Sequence, residues 1–152
     1  MKTLIIYDSA HGNTEEIAGA IAGALPGDVK VVRPAEVAPA DLESLDLLVI
    51  GAPTYGGQPS PPVRSCLKTL TRDVVNGVRF AAFDTRISAK WVGIFGYAAG
   101  KIAKRLMKLG GQLAVPPEGF FVLGMEGPLK TGEAERAAAW GETLVGSDSQ
   151  AD

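Results

Sequence analysis

The sequence predicts an α/β chain folded as a single-domain, three-layer structure, a doubly wound five-stranded parallel sheet with helices on both faces. Three observations carry this. Short continuous apolar runs recur along the chain, stripes of helical period lie between several of them, and 152 residues suffice for one core without room for a second. An apolar run without polar alternation suits a strand covered on both faces, and right-handed crossovers place helices on those faces.

The elements follow in order. The first strand is predicted at residues 3–7, and Ile17, Ala18, Ile21, Ala22 and Leu25 then form the stripe of a covering helix that ends before Pro26-Gly27. Further strands are expected at 29–32, 47–51 and 80–83. A second helical stripe, Ile102, Ala103, Leu106 and Leu109, stops at Gly110-Gly111, with Lys101, Lys104, Arg105 and Lys108 largely on its solvated faces. A weaker strand at 112–115 resumes at Phe120-Phe121-Val122. A third helix begins near Thr131-Gly132-Glu133 and carries Ala137, Trp140 and Leu144. One domain is thus assigned to residues 1–146 and a frayed polar tail to 147–152.

Composition removes several classes of function. Lys and Arg total 15 against 17 Asp and Glu, so neither nucleic acid nor an anionic membrane meets a large basic surface. The single Cys66 forms no internal disulfide or thiol cluster, and it reads as a small buried hydrophobe on a helix. Leu4-Ile5-Ile6-Tyr7 is far shorter than a signal or membrane segment, and a cytoplasmic location is the expectation. No G-x-G-x-x-G occurs, and Gly100-Lys101 lacks the rest of a nucleotide P-loop.

In a doubly wound sheet, ligands sit beyond the carboxyl ends of the strands, so the first loop is the first place to look. It reads Asp8-Ser9-Ala10-His11-Gly12-Asn13-Thr14. Ser9 and Thr14 offer hydroxyls, Asn13 an amide, and Gly12 a backbone that turns closely enough for amide protons to converge on an anion. A helix starting near Asn13 adds unpaired N–H groups and the positive end of its dipole, which suits a phosphate held without a basic residue. The alternative is an ordinary helix start, with Asn13 or Thr14 as cap and Gly12 in a tight turn. Glu15 and Glu16 complement the dipole and are expected to face solvent. His11, the only histidine, supplies no three-ligand metal site and is expected to hydrogen-bond near the phosphate.

The segment from Tyr7 to Ala18 resembles the flavodoxin phosphate-loop signature, a strand that delivers Ser/Thr-x-x-Gly-Asn-Thr to a helix. Asp46 to Ile50 followed by Gly51-Ala52-Pro53-Thr54-Tyr55-Gly56-Gly57-Gln58-Pro59 is similar to that family's third strand and the loop that walls the flavin ring. The resemblance implies a flavodoxin-like fold and FMN as cofactor. It implies that Ser9, His11, Gly12, Asn13 and Thr14 enclose the FMN phosphate, His11 standing where Ser or Thr is commoner. It also implies that Tyr55 lies on the isoalloxazine face and that Pro53, Thr54, Gly56 and Gly57 form the loop at the ring's polar edge. Glycine there allows a peptide to flip its carbonyl toward a protonated N5. Read without the first loop, this segment is a plain strand-to-helix connection shaped by Pro53 and Pro59, with Tyr55 half buried.

After the fourth strand the family often carries a Gly- and Asp-containing turn with a second aromatic residue, and here the chain gives Asp84-Thr85-Arg86-Ile87-Ser88. Asp84 and Thr85 are expected at the pyrimidine edge, with Arg86 favouring a negatively charged reduced flavin or meeting a partner's carboxylate. The same residues also suit a plain polar turn. Tyr97 is a candidate for the missing aromatic ring or for packing on the sheet, and Trp91 and Trp140 read as core or subunit contacts.

Two main functions follow. One is an electron-transfer flavoprotein that shuttles electrons between redox partner proteins and needs no catalytic residue. Its mixed loop charges (Glu15, Glu16, Arg64, Asp84, Arg86, Lys90) predict weak long-range steering, unlike strongly acidic flavodoxins. The other is an FMN-dependent NAD(P)H oxidoreductase of the quinone reductase type, in which Arg86 or Arg64 binds the nicotinamide cofactor's phosphates. A monomer suits the first and a homodimer the second. A flavin-free interaction module is the third reading, suggested by the altered third loop.

Overall fold

The computed structural model describes residues 1–87 and 97–149, and so Ser88, Lys90 and Trp91 of the sequence reading lie outside the described residues. In chain order it contains β1 (Lys2–Tyr7), α1 (Asn13–Gly23), β2 (Asp28–Val32), β3 (Leu47–Tyr55), β4 (Gln58–Pro59), α2 (Pro61–Thr69), α3 (Arg72–Val75), β5 (Arg79–Ile87), α4 (Ala98–Lys108), β6 (Gln112–Leu113), β7 (Glu118–Val122) and α5 (Glu133–Ser149). Short 3-10 turns at Pro34–Glu36 and Pro39–Leu42 lie between β2 and β3. The sheet order is β2-β1-β3-β5-β6, with β7 also on β5, and these pairings are all parallel. The expected fifth strand is present as two pieces, β6 and β7, separated by a segment containing Pro116-Pro117, which has no N–H to give the ladder.

Strand alternation divides the core between the two faces. Leu4, Ile6, Leu48, Ile50, Phe80 and Ala82 pack with residues of α2 and α4, such as Val63, Leu67, Ile102 and Leu106. Ile5, Val49, Ala81 and Phe83 pack with Ile17, Ile21, Ala137 and Leu144 of α1 and α5. Trp140 is a core residue: its ring meets Phe83 and Phe120 edge-on at centroid distances of 6.3 and 6.0 Å. Cys66 is buried on α2, and burial pushes its thiol pKa up.

Two strands run further than their apolar runs, and this places the site. β3 continues through Tyr55, and β5 continues through Ile87, so Asp84-Thr85-Arg86 is strand rather than a turn after Phe83. The ladder explains it. Ala52 and Pro53 of β3 pair with Asp84 and Thr85, while β7 pairs with Phe83 through Ile87 on the other side, so the backbone is held on both flanks despite its polar side chains. At the other end of the chain, α5 extends to Ser149, past the expected boundary at residue 146. No helix among the described residues is long and apolar enough to cross a membrane.

Candidate functional site

The carboxyl ends of β1, β3, β5 and β7 border one open cleft of about 270 Å³. Its first wall is the loop from β1 into α1. Gly12 adopts φ 88°, in the left-handed region, and its N–H donates to Ser9 Oγ at 3.0 Å. That turn puts Gly12 at the N-cap of α1, where no side chain bonds the first-turn amides. The reading of Asn13 or Thr14 as cap is therefore corrected: the helix begins bare, the arrangement that leaves N–H groups for an external anion. Ser9, Ala10, His11, Asn13 and Thr14 line the cleft, while Gly12 shapes the loop without lining it. Since Ser9 Oγ accepts from Gly12, its own proton remains available to donate. Glu15 and Glu16 are exposed, as expected.

Thr14 and Thr85 face one another, their hydroxyls 2.8 Å apart and buried, which fastens α1 to the end of β5. The Asn13 amide donates to the Glu126 carbonyl at 3.3 Å, tying the loop to the segment that follows β7. Arg33, just beyond β2, donates to the Ser9 carbonyl at 3.2 Å and lies 3.5 Å from Asp8 and 4.0 Å from Glu15. Its guanidinium sits over the Tyr7 ring at 5.0 Å.

The second wall is a hairpin where a connection was the alternative. Tyr55 pairs with Gln58 and Thr54 with Pro59, leaving Gly56 (φ 54°) and Gly57 (φ 79°) as a two-residue turn that needs left-handed backbone at both positions. Pro53, Thr54, Tyr55, Gly56 and Gly57 all line the cleft, and Tyr55 is 41% exposed at its mouth. Thr54 Oγ1 accepts from the Ala98 N–H at 3.1 Å, so it also caps α4.

The third predicted segment divides. Thr85 and Arg86 line the cleft; Asp84 does not. Strand alternation turns Asp84 toward α4, where it is fully buried, accepts from the Ala99 N–H at 2.9 Å and binds Arg86 Nε and Nη2 at 2.7 Å each. Its expected place at a ligand edge is thus corrected to a helix cap and ion-pair anchor. Burial pushes the Asp84 carboxyl up from its ordinary pKa, against the opposing pull of Arg86, the Ala99 amide and Thr54. Tyr97 packs on Arg86, with the guanidinium 3.4 Å from its ring centroid. Arg64 is exposed on α2 and outside the lining.

Ile87, Val122 and Met125 complete the apolar side and were not anticipated. Val122 ends β7 and Met125, 77% exposed, lies beyond it. The usable signal was topological: a strand beside β5 brings its carboxyl end to the same edge. Among the described residues, no group of three or more His, Cys, Asp or Glu could hold a metal.

Fold and cleft together define a doubly wound α/β ligand-binding protein whose site has a bare helix start at one end and an aromatic, apolar end at the other. The flavodoxin family model matches residues 5–140, and the chain belongs to the flavodoxin family. A flavodoxin from the domain Archaea superimposes with a TM-score of 0.79 at 20% identity, covering 96% of this chain and 97% of its own. Flavodoxin 2 from Bacillus cereus gives 0.79 at 21% identity, with 96% and 99% covered. A flavodoxin, WrbA-like protein from Agrobacterium tumefaciens gives 0.76 at 18% identity, with 97% of each chain covered. At these identities the likeness speaks for the fold. A comparison with curated protein sequences finds no significant match. Membership in the family implies a flavin ligand, and the residues fit one: uncapped amides and hydroxyls suit a phosphate, and the hairpin with Tyr55 suits a flat aromatic ring.

Proposed function

We propose that the cleft binds FMN and that the protein shuttles electrons between redox partner proteins. The observation that carries this is the meeting, at one sheet edge, of two loops distant in sequence: the bare start of α1 with Ser9, His11 and Thr14, and the Gly56-Gly57 hairpin with Tyr55. When bound, FMN supplies one- and two-electron chemistry that amino-acid side chains lack. The chain's own part is to bind and orient. The first-turn amides, Ser9 and Thr14 hold the phosphate, Tyr55 and Met125 flank the ring, and the hairpin glycines present peptide groups to its edge. No carboxylate lines the cleft among the described residues, so no paired general acid and base is assembled there.

The second reading, an NAD(P)H-dependent FMN reductase of the quinone reductase type, has one observation in its favour, an arginine in the cleft wall; the WrbA-like neighbour is compatible with it. Against it, Arg86 already gives two donors to Asp84, and Arg64 lies away from the cleft.

The test is direct. The purified protein is expected to show a flavin absorption spectrum or to acquire one on titration with FMN, and failure to bind FMN would sink both readings and leave an interaction module. Stopped-flow mixing with NADPH or NADH separates the two. Slow bleaching without an added reductase supports the shuttle, and fast bleaching overturns it.

A further inference from the structure

We propose that the outer face of α2, α3 and α4 docks an acidic protein, a redox partner with carboxylates around its own electron-carrying group. That the partner is a redox protein rests on the shuttle reading above. Lys and Arg nearly balance Asp and Glu over the whole chain, but the fold separates them into layers. α2, α3 and α4 together carry seven Lys and Arg and one acid, Asp73. α1 and α5, on the opposite side of the sheet, carry six acids and one cation, Arg136. The basic side chains form one continuous surface. Lys101, Lys104, Arg105 and Lys108 recur at helical spacing on α4, away from its buried residues Ile102, Ala103 and Leu106. Arg64 and Lys68 are exposed one turn apart on α2. The Arg105 Nε donates to the Leu67 carbonyl at 3.4 Å and the Arg72 Nη2 to the Lys108 carbonyl at 2.8 Å, which joins the three helices.

Carbonyls leave the charge of these arginines uncompensated, and no ion pair among the described residues includes Arg64, Lys68, Lys104 or Lys108. Glu36, on the 3-10 turn that packs against α2, accepts instead from the Arg33 N–H at 2.8 Å. Helix stability does not account for the pattern. Acids in a first turn and cations near a C-terminus both complement the helix dipole. α1 and α5 have acids in their first turns, whereas α2 and α4 have none there and carry Arg64 and Lys101 close to their starts. Those two positions stand beside the cleft, because α2 follows the hairpin and Thr54 caps α4. The basic face therefore begins at the cleft mouth. A protein that brings an electron acceptor to that mouth is the occupant this placement favours over a nucleic acid or a lipid surface, which bring none.

The test uses two probes. Poly-L-glutamate needs no flavin. A net charge of −2 would repel it, yet it is expected to bind, and to bind about tenfold more weakly when salt shortens the Debye length from about 30 to about 10 Å. Lys104→Glu is expected to weaken binding about tenfold, whereas Lys130→Glu, the same charge change at an exposed site away from this face, is expected to leave it nearly unchanged. Equal losses in both variants overturn the proposal. So does poly-L-glutamate that fails to bind at low salt, including the case in which duplex DNA or phosphatidylserine vesicles bind in its place. The second probe is succinylated cytochrome c, whose lysines are converted to carboxylates. One electron passes from reduced FMN in the loaded protein to the ferric haem, and the rate is expected to fall as salt rises. A rate that rises with salt overturns docking of a redox partner here. Failure to bind FMN is a different outcome: it overturns the shuttle reading and the partner's redox role with it, and poly-L-glutamate alone then judges the face.

Discussion

Gly12→Ala and Gly19→Ala place the same chemical change twice in eight residues of the chain and should act in opposite directions. At Gly12 a new Cβ meets no atom within 4 Å, so sterics with neighbours contribute nothing and the whole effect is conformational. The backbone there sits at φ 88°, a conformation that disfavours an L side chain by about 1–2 kcal/mol. Gly19 also has open space around it, but it lies within α1, where replacing Gly by Ala stabilises by about 0.5–1 kcal/mol. Urea denaturation of the flavin-free protein reads both. Gly12→Ala is expected to lower the unfolding free energy, Gly19→Ala to raise it, and Gly12→Asn to fall less far, because Asn tolerates the left-handed region. The site gives a second readout. Gly12→Ala should weaken FMN binding while leaving riboflavin, which has no phosphate, nearly unaffected. A Gly12→Ala protein as stable as the wild type, with FMN affinity intact, would refute the left-handed turn and the anion cradle built on it.

Three further outcomes are expected. Thr14→Val or Thr85→Val alone orphans one buried hydroxyl and should destabilise by about 1–3 kcal/mol, whereas the double variant should lie closer to the wild type than the sum of the two, as a thermal double-mutant cycle will show. Arg136, together with the Phe121 N–H, holds the Glu133 carboxyl below its ordinary value of 4.5, so the native state binds fewer protons there than the unfolded chain. The resulting stability is present above that ordinary value and is lost as pH falls through the folded value; Glu133→Gln should flatten this acid limb in denaturation curves recorded across pH. Asn13→Ala removes the bond to the Glu126 carbonyl, worth about 0.5–1.5 kcal/mol, and should weaken FMN and riboflavin alike by loosening the Met125 wall; a loss confined to FMN would put the Asn13 amide on the phosphate instead.

The layers were legible because they rest on local pattern. The stripe Ile17, Ala18, Ile21 is buried as read, and the Phe120-Phe121-Val122 resumption lies in β7 beside β5. What the sequence concealed was wherever a polar residue is satisfied by an element far along the chain. Asp84, Thr85 and Arg86 read as a turn because three polar residues end an apolar run. In the fold α4 supplies the Ala99 amide, α1 supplies Thr14 and Tyr97 covers the guanidinium, so the strand carries them. The Gly56-Gly57 pair forms a two-residue hairpin turn, where the sequence was read as a flavin loop or as a strand-to-helix connection shaped by Pro53 and Pro59. Pro59 sits on the two-residue β4, where a missing N–H is tolerated. Met125 lies in a segment that carries no periodicity, and only the sheet order brings it to the cleft.

These partners also bear on how a cleft proposed to take an anionic ligand stands in a chain of net charge −2. At the phosphate end the arginine closest to the loop, Arg33, is drawn toward Asp8, Glu15 and the Ser9 carbonyl, and it does not line the cleft. It therefore braces the loop from behind and leaves the anion to amides and hydroxyls. At the ring end Arg86 does line the cleft, but Asp84 takes two of its donors and sits behind it. Both arginines are thus neutralised within the protein, and the difference between them lies in place: Arg33 stands outside the cleft lining, whereas Arg86 is part of it. Formal charge cannot distinguish these two roles, and composition alone would treat them as equivalent. The distinction arises where β5 runs past its apolar residues and strand alternation sends Asp84 and Arg86 to the same face, a consequence of the ladder with β3 and β7 rather than of the residues' own propensities.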